Sequence, residues 1–231
     1  MEFENLLIEG TFIQRYKRFL ADVKFANGRE TTVHCPNPGS MLGLIESGSK
    51  VYVSDSQNPK RKLRYTWELV EANQTLVGIN TNRTNRLLEE AINKGIIAEL
   101  SDYDEIQREV NIGQKSRFDL LLRGNGQPCI VEIKSVTLKK DGKALFPDSV
   151  TKRGARHVRE LIESTRNGYR AVVCFVIQRN DTAVFSPAWD IDPDFSKILK
   201  TAQKKGVEIY AYQAEVTHQS IEITTSIPVE I

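Results

Sequence analysis

The first 80 residues alternate apolar and polar side chains over short segments. Such alternation is typical of strands with one buried face, and turn residues separate the segments, as at Asn27-Gly28 and Ser47-Gly48. The pattern predicts five strands, with the sequences LIEGTFIQRY, RFLADVKFA, TTVHC, KVYVSDS and RYTWELVEA. Five short strands favour a small OB-like barrel over residues 1–80, with a short helix expected at 40–46.

Beyond residue 80 the pattern changes to helices that alternate with strands. Apolar residues recur at helical spacing over 84–98, where Thr84 or Asn85 would cap the helix and Gly95 would end it. Three strand-like segments follow, then a helix ended by Gly168, then the continuous apolar run AVVCFVI of a strand buried on both faces. The order α-β-β-β-α-β, followed by α-β-β, predicts an α/β protein with an all-β N-terminal part and a mixed-sheet domain at 81–231.

Composition narrows the class of protein further. The chain has 231 residues, 40% hydrophobic and 27% charged, with a net charge of +2, so binding to nucleic acid would depend on local basic clusters. Three cysteines without a CxxC pair favour a reducing cytoplasm over a disulfide framework or zinc site. We expect no signal peptide and no membrane association, because no apolar run approaches the ~20 residues of a membrane helix.

The segment 117–134, RFDLLLRGNGQPCIVEIK, carries the candidate chemistry. Glu132 and Lys134 lie two residues apart on a strand and therefore share a face. Asn125-Gly126 is a strong hairpin signal, and a two-residue turn there places Asp119 opposite Glu132. Their Cβ atoms would then lie roughly 5 Å apart. Pro128 beside the turn cannot donate a ladder hydrogen bond, so a bulge or a longer loop is the alternative, and either would change the pairing.

Two facing carboxylates repel each other, which favours a cation between them. Mg²⁺ takes oxygen ligands and needs only one or two protein carboxylates. Such an ion could polarise a phosphodiester and lower the pKa of a bound water, while Lys134 orients that water or neutralises developing charge. Glu89 or Glu90 of the preceding helix could supply a third carboxylate. A solvated hairpin with scattered charges is the alternative, because this spacing also occurs by chance.

Motifs along most of the chain resemble the sugar fermentation stimulation protein family of prokaryotes. In order from residue 15 to residue 191 they are RYKRFLADV, HCPNPGSM, NTNRTNRLLEEAI, SRFDLLL, VEIKSVTL, FPDSVTKRGARHVREL and FSPAWDID. The Asp and E-x-K pattern also resembles the PD-(D/E)xK nuclease superfamily, in which these residues lie on adjacent strands of an α-β-β-β-α-β core. The resemblance implies an OB-like DNA-binding domain joined to a nuclease-like domain.

Carried over to the matching motifs, the resemblance implies a four-residue site. It favours Glu90 over Glu89 as the helix glutamate and assigns the remaining roles to Asp119, Glu132 and Lys134. The three carboxylates Glu90, Asp119 and Glu132 would bind Mg²⁺ or Mn²⁺. The superfamily's proline before the aspartate is replaced by phenylalanine here, which removes no ligand.

Basic clusters are the expected DNA contacts, because Lys and Arg neutralise phosphates. The predicted set comprises Arg15, Lys17, Arg18, Lys60, Arg61, Lys62, Arg64, Arg153, Arg156 and His157. Trp67 follows the second cluster and is either a platform for base stacking or a core residue. His157 shares a helix face with Arg153 and is either a general acid or a structural residue.

Two functions fit these residues. The first is a Mg²⁺- or Mn²⁺-dependent DNA phosphodiesterase. The second is a non-catalytic, DNA-binding transcriptional regulator of sugar metabolism genes that keeps the nuclease fold as a platform. The absence of a helix-turn-helix signature weakens the second function. The sequence leaves the DNA form and the oligomeric state open, a homodimer included.

Overall fold

The N-terminal part of the structure, a computed structural model that describes residues 1–112 and 116–231, is a small closed barrel. The strands are β1 (Ile8–Tyr16), β2 (Leu20–Phe25), β3 (Glu30–His34), β4 (Lys50–Asp55), β5 (Tyr65–Ala72) and β6 (Thr75–Gly78). The sheet runs in the order β3-β2-β1-β4-β5-β6, and a parallel pairing of His34 with Thr66 joins β3 to β5. The predicted OB-like barrel is confirmed, with β6 as an additional strand.

Trp67 lies in the barrel core. Its ring stacks on Phe12 at 5.1 Å between centroids, and its indole N–H donates to the carbonyl of Leu69 at 2.8 Å. It is fully buried, so the base-stacking interpretation of Trp67 is wrong. The helix expected at 40–46 is also absent, because Met41 and Gly43 adopt positive φ angles of 57° and 76°, which a right-handed helix excludes.

The C-terminal part is a six-stranded mixed sheet with helices on both faces. The elements are α1 (Thr84–Asn93), β7 (Tyr103–Ile112), β8 (Ser116–Gly124), β9 (Cys129–Val136), β10 (Leu138–Lys140), β11 (Lys143–Phe146), α2 (Lys152–Arg166), β12 (Arg170–Ile177), β13 (Val184–Pro187), α3 (Pro193–Lys204), β14 (Glu208–Val216) and β15 (Ile221–Ser226). The sheet order is β15-β14-β12-β9-β8-β7, in which β9, β12 and β14 are mutually parallel. The predicted α-β-β-β-α-β core is confirmed, and the short strands β10, β11 and β13 form an additional small sheet.

Successive side chains of β9 point to opposite faces of the sheet and pack in two separate cores. Val131 packs in the core that contains Leu88 of α1, whereas Ile130 packs with Val158 of α2 on the opposite face. Glu132 shares the parity of Ile130 and therefore projects toward α2. The same rule places Lys134 on that face.

The start of α1 differs from the prediction. A short 3₁₀ helix, Thr81–Arg83, runs directly into α1, and the side chain of Asn80 accepts the N–H of Asn82 to cap it. The predicted caps Thr84 and Asn85 are therefore helical residues. Gly95 has a φ of 69° just beyond the last turn, as expected of a glycine that ends a helix.

Buried polar contacts join the barrel to the mixed sheet. Glu68 of β5 is 1% exposed and accepts hydrogen bonds from the Arg83 guanidinium at 2.7 and 2.8 Å. Asp148, which follows β11, accepts the N–H of Met41 at 2.8 Å. The first residues of the chain also pair with the C-terminal part, through a bridge between Glu2 and Ser220. The division at residue 80 therefore stays a prediction.

None of the helices in the described ranges has the length and apolar character to cross a membrane.

Candidate active site

The pairs of β8 with β9 follow the predicted register as far as Leu120 with Val131, where the ladder ends. Asp119 and Glu132 are the next residue on each strand, and they are close enough that the charge of Glu132 raises the pKa of Asp119. Beyond Leu120, the Oδ2 atom of Asp119 accepts the backbone N–H of Ile133 at 2.8 Å. A carboxylate therefore occupies the position between the strands where the ladder ends.

The connection between these strands is longer than predicted. Their last pair is Leu122 with Cys129, and the final residues of β8 pair only with β7, so residues 125–128 form the loop. Asn125 and Gly126 lack the positive φ angles that a two-residue type I′ turn requires. The prediction of a two-residue turn is wrong, although the pairs from Leu122 with Cys129 to Leu120 with Val131 have the register that it implied.

Asp119 is held by one bond to each carboxylate oxygen. In addition to the bond from Ile133, its Oδ1 atom accepts the side-chain amide of Asn85 at 3.1 Å. Burial raises the pKa of Asp119, and the nearby charge of Glu132 raises it further, which outweighs the effect of the two hydrogen bonds. The protein therefore makes ionisation of Asp119 unfavourable.

Glu132 is 2% exposed and binds two basic groups through one oxygen. Its Oε1 atom accepts Lys134 Nζ and lies against His157 Nδ1, each at 2.5 Å. Burial alone would raise the pKa of Glu132, but Lys134 and His157 outweigh burial and hold that pKa below its usual range. The second oxygen, Oε2, is buried without a hydrogen-bond partner among the described residues.

This pair of acids fits a hard divalent cation. Oε2 of Glu132 is a buried acceptor with no donor, and an unpartnered buried oxygen of this kind is costly unless a cation or water binds it. Asp119 is destabilised by the charge of Glu132, and a cation between them would remove that repulsion. Carboxylate oxygens are the ligands that Mg²⁺ and Ca²⁺ prefer.

The prediction that Glu90 is the third metal ligand is wrong. Its carboxylate binds the amino group of Met1 at 3.0 Å and Lys94 at 2.8 Å, and the Lys94 bond is the main reason that the pKa of Glu90 is lowered. Across the described ranges, no cluster of three or more acidic, histidine or cysteine side chains is arranged to hold a metal.

The geometry of α1 explains this error. Consecutive helical residues differ by about 100° in direction, so Glu90 faces β15 while Asn85 and Glu89 flank the opposite side. Glu89 there forms an ion pair with Arg108 of β7. The side chain that reaches Asp119 is Asn85, which the sequence indicated only as a helix cap.

A cleft of about 520 Å³ opens between the barrel and the mixed sheet. Lys134 lines it from β9, Arg153 from α2, and Arg18 and Asn37 from the barrel. Glu132 lies buried next to the Lys134 amine. The cleft therefore gives a solvent-reachable approach to Lys134, which contacts Glu132.

The first basic cluster divides into two roles. The Arg15 guanidinium donates to the carbonyls of Arg18, Asn37 and Gly39 at 2.7 to 2.9 Å. These bonds connect the β1–β2 hairpin to the loop after β3, so the prediction that Arg15 contacts a phosphate is wrong. Lys17 and Arg18 are exposed at the tip of the β1–β2 hairpin, and Arg18 reaches the cleft.

The second basic cluster lies away from Lys134. Lys60, Arg61, Lys62 and Arg64 are all exposed on the β4–β5 connection. Arg61 lines a different cavity, of about 530 Å³, together with His34 and Arg83. Arg64 forms a two-pronged ion pair with Asp55 at 2.5 to 3.0 Å, which occupies much of its charge.

The cluster on α2 begins at the cleft. Arg153 and Arg156 are exposed, and Arg156 lies 3.8 Å from Glu160. His157 is 4% exposed, so its assignment to the DNA surface is wrong. Its Nδ1 atom faces Glu132 and its Nε2 atom accepts Arg153 Nε at 3.4 Å. Arg153 and His157 share a helix face, as predicted, but His157 uses that position to contact Glu132.

The fold and site define a two-part protein, an OB-like barrel joined to a mixed α/β sheet that carries Asp and E-x-K on adjacent strands. Residues 13–79 match the SfsA N-terminal OB domain, and residues 82–220 match the sugar fermentation stimulation protein RE domain. The chain belongs to the sugar fermentation stimulation protein family.

Similar proteins match over nearly the whole length. A sugar fermentation stimulation protein homolog of Geobacter sulfurreducens is 52% identical over 96% of each chain, and one of Maricaulis maris is 49% identical over 100% of this chain and 99% of that protein. The structure of Pyrococcus furiosus SfsA in complex with Ca²⁺ is similar, with a TM-score of 0.91, 30% identity and coverage of 100% and 98%.

Proposed function

We propose that this protein is a DNA phosphodiesterase that depends on a divalent metal, Mg²⁺ or Mn²⁺. The observation that carries the proposal is that the Oε2 atom of Glu132 is buried and unpartnered among the described residues. Glu132 lies on β9, which pairs with the strand β8 that carries Asp119. Two neighbouring acids, one of them with a raised pKa, lie beside a lysine at a cleft, an arrangement that suits metal-dependent hydrolysis of a phosphodiester.

Asp119 and Glu132 would hold the metal, with water completing its coordination. When bound, the ion supplies a Lewis acid and lowers the pKa of a bound water. The Ca²⁺ complex of the Pyrococcus furiosus relative supports a site for a hard cation in this fold. Ca²⁺, like Mg²⁺, takes oxygen ligands.

The other side chains of the site hold the two acids and meet the substrate. Asn85 fixes one oxygen of Asp119, and His157 fixes Oε1 of Glu132, which leaves Oε2 of Glu132 without a donor among the described residues. Lys134 places a positive charge at the wall of the cleft, where it would stabilise negative charge that develops on a phosphate. The chain itself therefore provides orientation and a fixed cation.

DNA would enter the cleft between the barrel and α2. Arg18 and Lys152 line that cleft from its two sides, and Arg153 lies next to Lys152. These cations would neutralise the phosphates on either side of the one that reaches Lys134. The barrel and the mixed sheet therefore contribute to one DNA-binding surface.

A non-catalytic DNA-binding regulator is the second candidate, and one observation favours it. Lys134 and His157 already balance the charge of Glu132 without a metal. A site of this kind can persist as a structural ion pair in a protein that only binds DNA.

Incubation of the protein with single-stranded, duplex and branched DNA in Mg²⁺ or Mn²⁺ separates the two candidates. We expect metal-dependent cutting that Asp119→Asn reduces by at least about 100-fold, while DNA affinity is retained. Asp190→Asn is the matched control, because Asp190 is exposed and is distant in sequence from Asp119 and Glu132. This variant should cut DNA as the unmodified chain does. DNA binding without cutting by the unmodified chain would contradict the phosphodiesterase and support the regulator.

A further inference from the structure

Three large apolar side chains are exposed on segments that border the cleft. Phe19 is 46%, Leu42 46% and Val150 67% exposed. Val150 lines the cleft itself, Phe19 follows the lining residue Arg18, and Leu42 lies three residues after the lining residue Gly39. We call these three residues the apolar rim. Exposed apolar groups gathered at one concave site are typical of a binding surface.

Hydrogen bonds fix the three segments of the apolar rim relative to one another. Arg15 donates to the carbonyls of Arg18 and Gly39, which ties the hairpin tip before Phe19 to the loop before Leu42. Asp148 accepts the N–H of Met41, and its carbonyl accepts the hydroxyl of Ser40 at 2.5 Å. Residues distant in sequence are therefore held as one surface.

Cations flank the apolar rim on both sides. Lys17 and Arg18 directly precede Phe19, and Lys152 and Arg153 follow Val150 closely. All four cations are exposed. A ligand that offers negative charge outside and flat apolar groups inside matches this surface, and a nucleic-acid strand has that chemistry.

The concave shape argues for DNA over a lipid surface. The segments that carry the rim border a cleft of about 520 Å³ whose wall carries Lys134, and a flat membrane would not reach that amine. A DNA phosphate held at Lys134 would place its neighbouring bases against the rim. Apolar side chains that enter a base step unstack it and bend the duplex.

We propose that the apolar rim inserts between neighbouring bases of the DNA bound in the cleft, so that the protein prefers DNA that is easily unstacked. The preferred substrate is then a duplex that contains an unpaired nucleotide, for which the cost of unstacking is lower. This inference rests on the proposed function, since it assumes that DNA occupies the cleft.

Fluorescence anisotropy with two labelled duplexes tests the inference, one fully paired and one with a single bulged adenine. The full chain is used without divalent metal, so that no strand is cut. We expect the bulged duplex to bind about 10-fold more tightly, because an unpaired adenine lowers the cost of the unstacking that insertion of the rim requires. The triple variant Phe19→Ala, Leu42→Ala, Val150→Ala should bring the two affinities within about 2-fold, because no large side chain then enters the base step.

Leu6→Ala is the matched control, because Leu6 is 84% exposed and does not belong to the apolar rim. This variant should still bind the bulged duplex more tightly than the paired one. Equal affinity of the unmodified chain for both duplexes, or a preference that survives the triple variant, would overturn the inference and leave the proposed function intact. Failure to bind any DNA would overturn both. A change in molar mass by light scattering between the unmodified chain and the triple variant would assign the rim to self-association and overturn the inference as well.

Discussion

The imidazole of His157 binds the carboxylate of Glu132 at 2.5 Å, although the two residues lie on different elements, α2 and β9. Both are almost completely buried. Because Lys134 binds the same oxygen, the other oxygen of Glu132 is left without a partner. This asymmetry turns a structural ion pair into a candidate metal site.

His157→Ala should impair the site through the orientation of Glu132. Loss of the imidazole removes one donor from a buried carboxylate, at a cost of about 1–3 kcal/mol. We expect weaker binding of Mn²⁺ in isothermal titration calorimetry, with partial recovery in His157→Asn, whose amide can donate from a similar position. Equal Mn²⁺ affinity in all three proteins would contradict a positioning role.

Asp119→Asn should raise stability in the absence of metal. The pKa of Asp119 is raised in the folded state, so the folded chain binds the proton more tightly than the unfolded chain does. Ionised Asp119 therefore destabilises the fold above its unfolded pKa, near 3.8, and the penalty grows as pH rises to the folded pKa.

Thermal unfolding in EDTA measures this effect. Asp119→Asn should melt at a higher temperature than the unmodified chain at pH 7, and the difference should vanish below the unfolded pKa of an aspartate. With Mn²⁺ present the order should reverse, because only the unmodified chain gains stability from the metal. A variant that melts lower than the unmodified chain in EDTA at pH 7 would contradict the assigned repulsion.

Arg83→Ala should destabilise the junction between the barrel and the mixed sheet. It leaves Glu68, which is 1% exposed, without its main ionic partner, and breaking a buried pair costs about 3–5 kcal/mol. Urea unfolding measures the loss. Lys140→Ala breaks the exposed pair with Asp190 and serves as the control, with an expected change below about 1 kcal/mol. A loss as small as that of the control would show that the pair contributes little.

The salt dependence of DNA binding should distinguish the basic side chains. Lys17→Ala with Arg18→Ala should lower the slope of log K against log[salt] by about 2, because each phosphate contact contributes ~0.9. Arg64→Ala should change the slope less, since its charge is engaged by Asp55. An unchanged slope in the double variant would remove the hairpin tip from the interface.

The register of β8 against β9 could be predicted because it depends on local pattern. Strand alternation has a period of two, so the hydrophobic face of β8 and β9 admits few registers, and the pairing of Leu120 with Val131 follows. The barrel followed from the same alternation. The turn between the strands could not be predicted, because Pro128 and the neighbouring strand β7 determine where the ladder ends.

The helix side chain of the site depends on contacts that sequence pattern does not encode. Choosing between Glu89 and Glu90 requires the direction of α1 relative to the sheet, which is set by tertiary packing. The role of Arg15 was missed for a similar reason, since its carbonyl partners at Asn37 and Gly39 come from a distant loop. Motif spacing therefore identified Asp119 and Glu132 but missed Asn85 as a partner of Asp119.

The proposed function depends most on a divalent metal bound by Asp119 and Glu132. A crystal of the full chain soaked in Mn²⁺ tests this directly through anomalous diffraction. We predict an anomalous peak within ligand distance of an Asp119 oxygen and of Oε2 of Glu132, about 2.0–2.2 Å from each. A crystal that shows Mn²⁺ only elsewhere, with Oε2 still free or bound to water, would contradict the proposed metal centre and the hydrolytic function built on it.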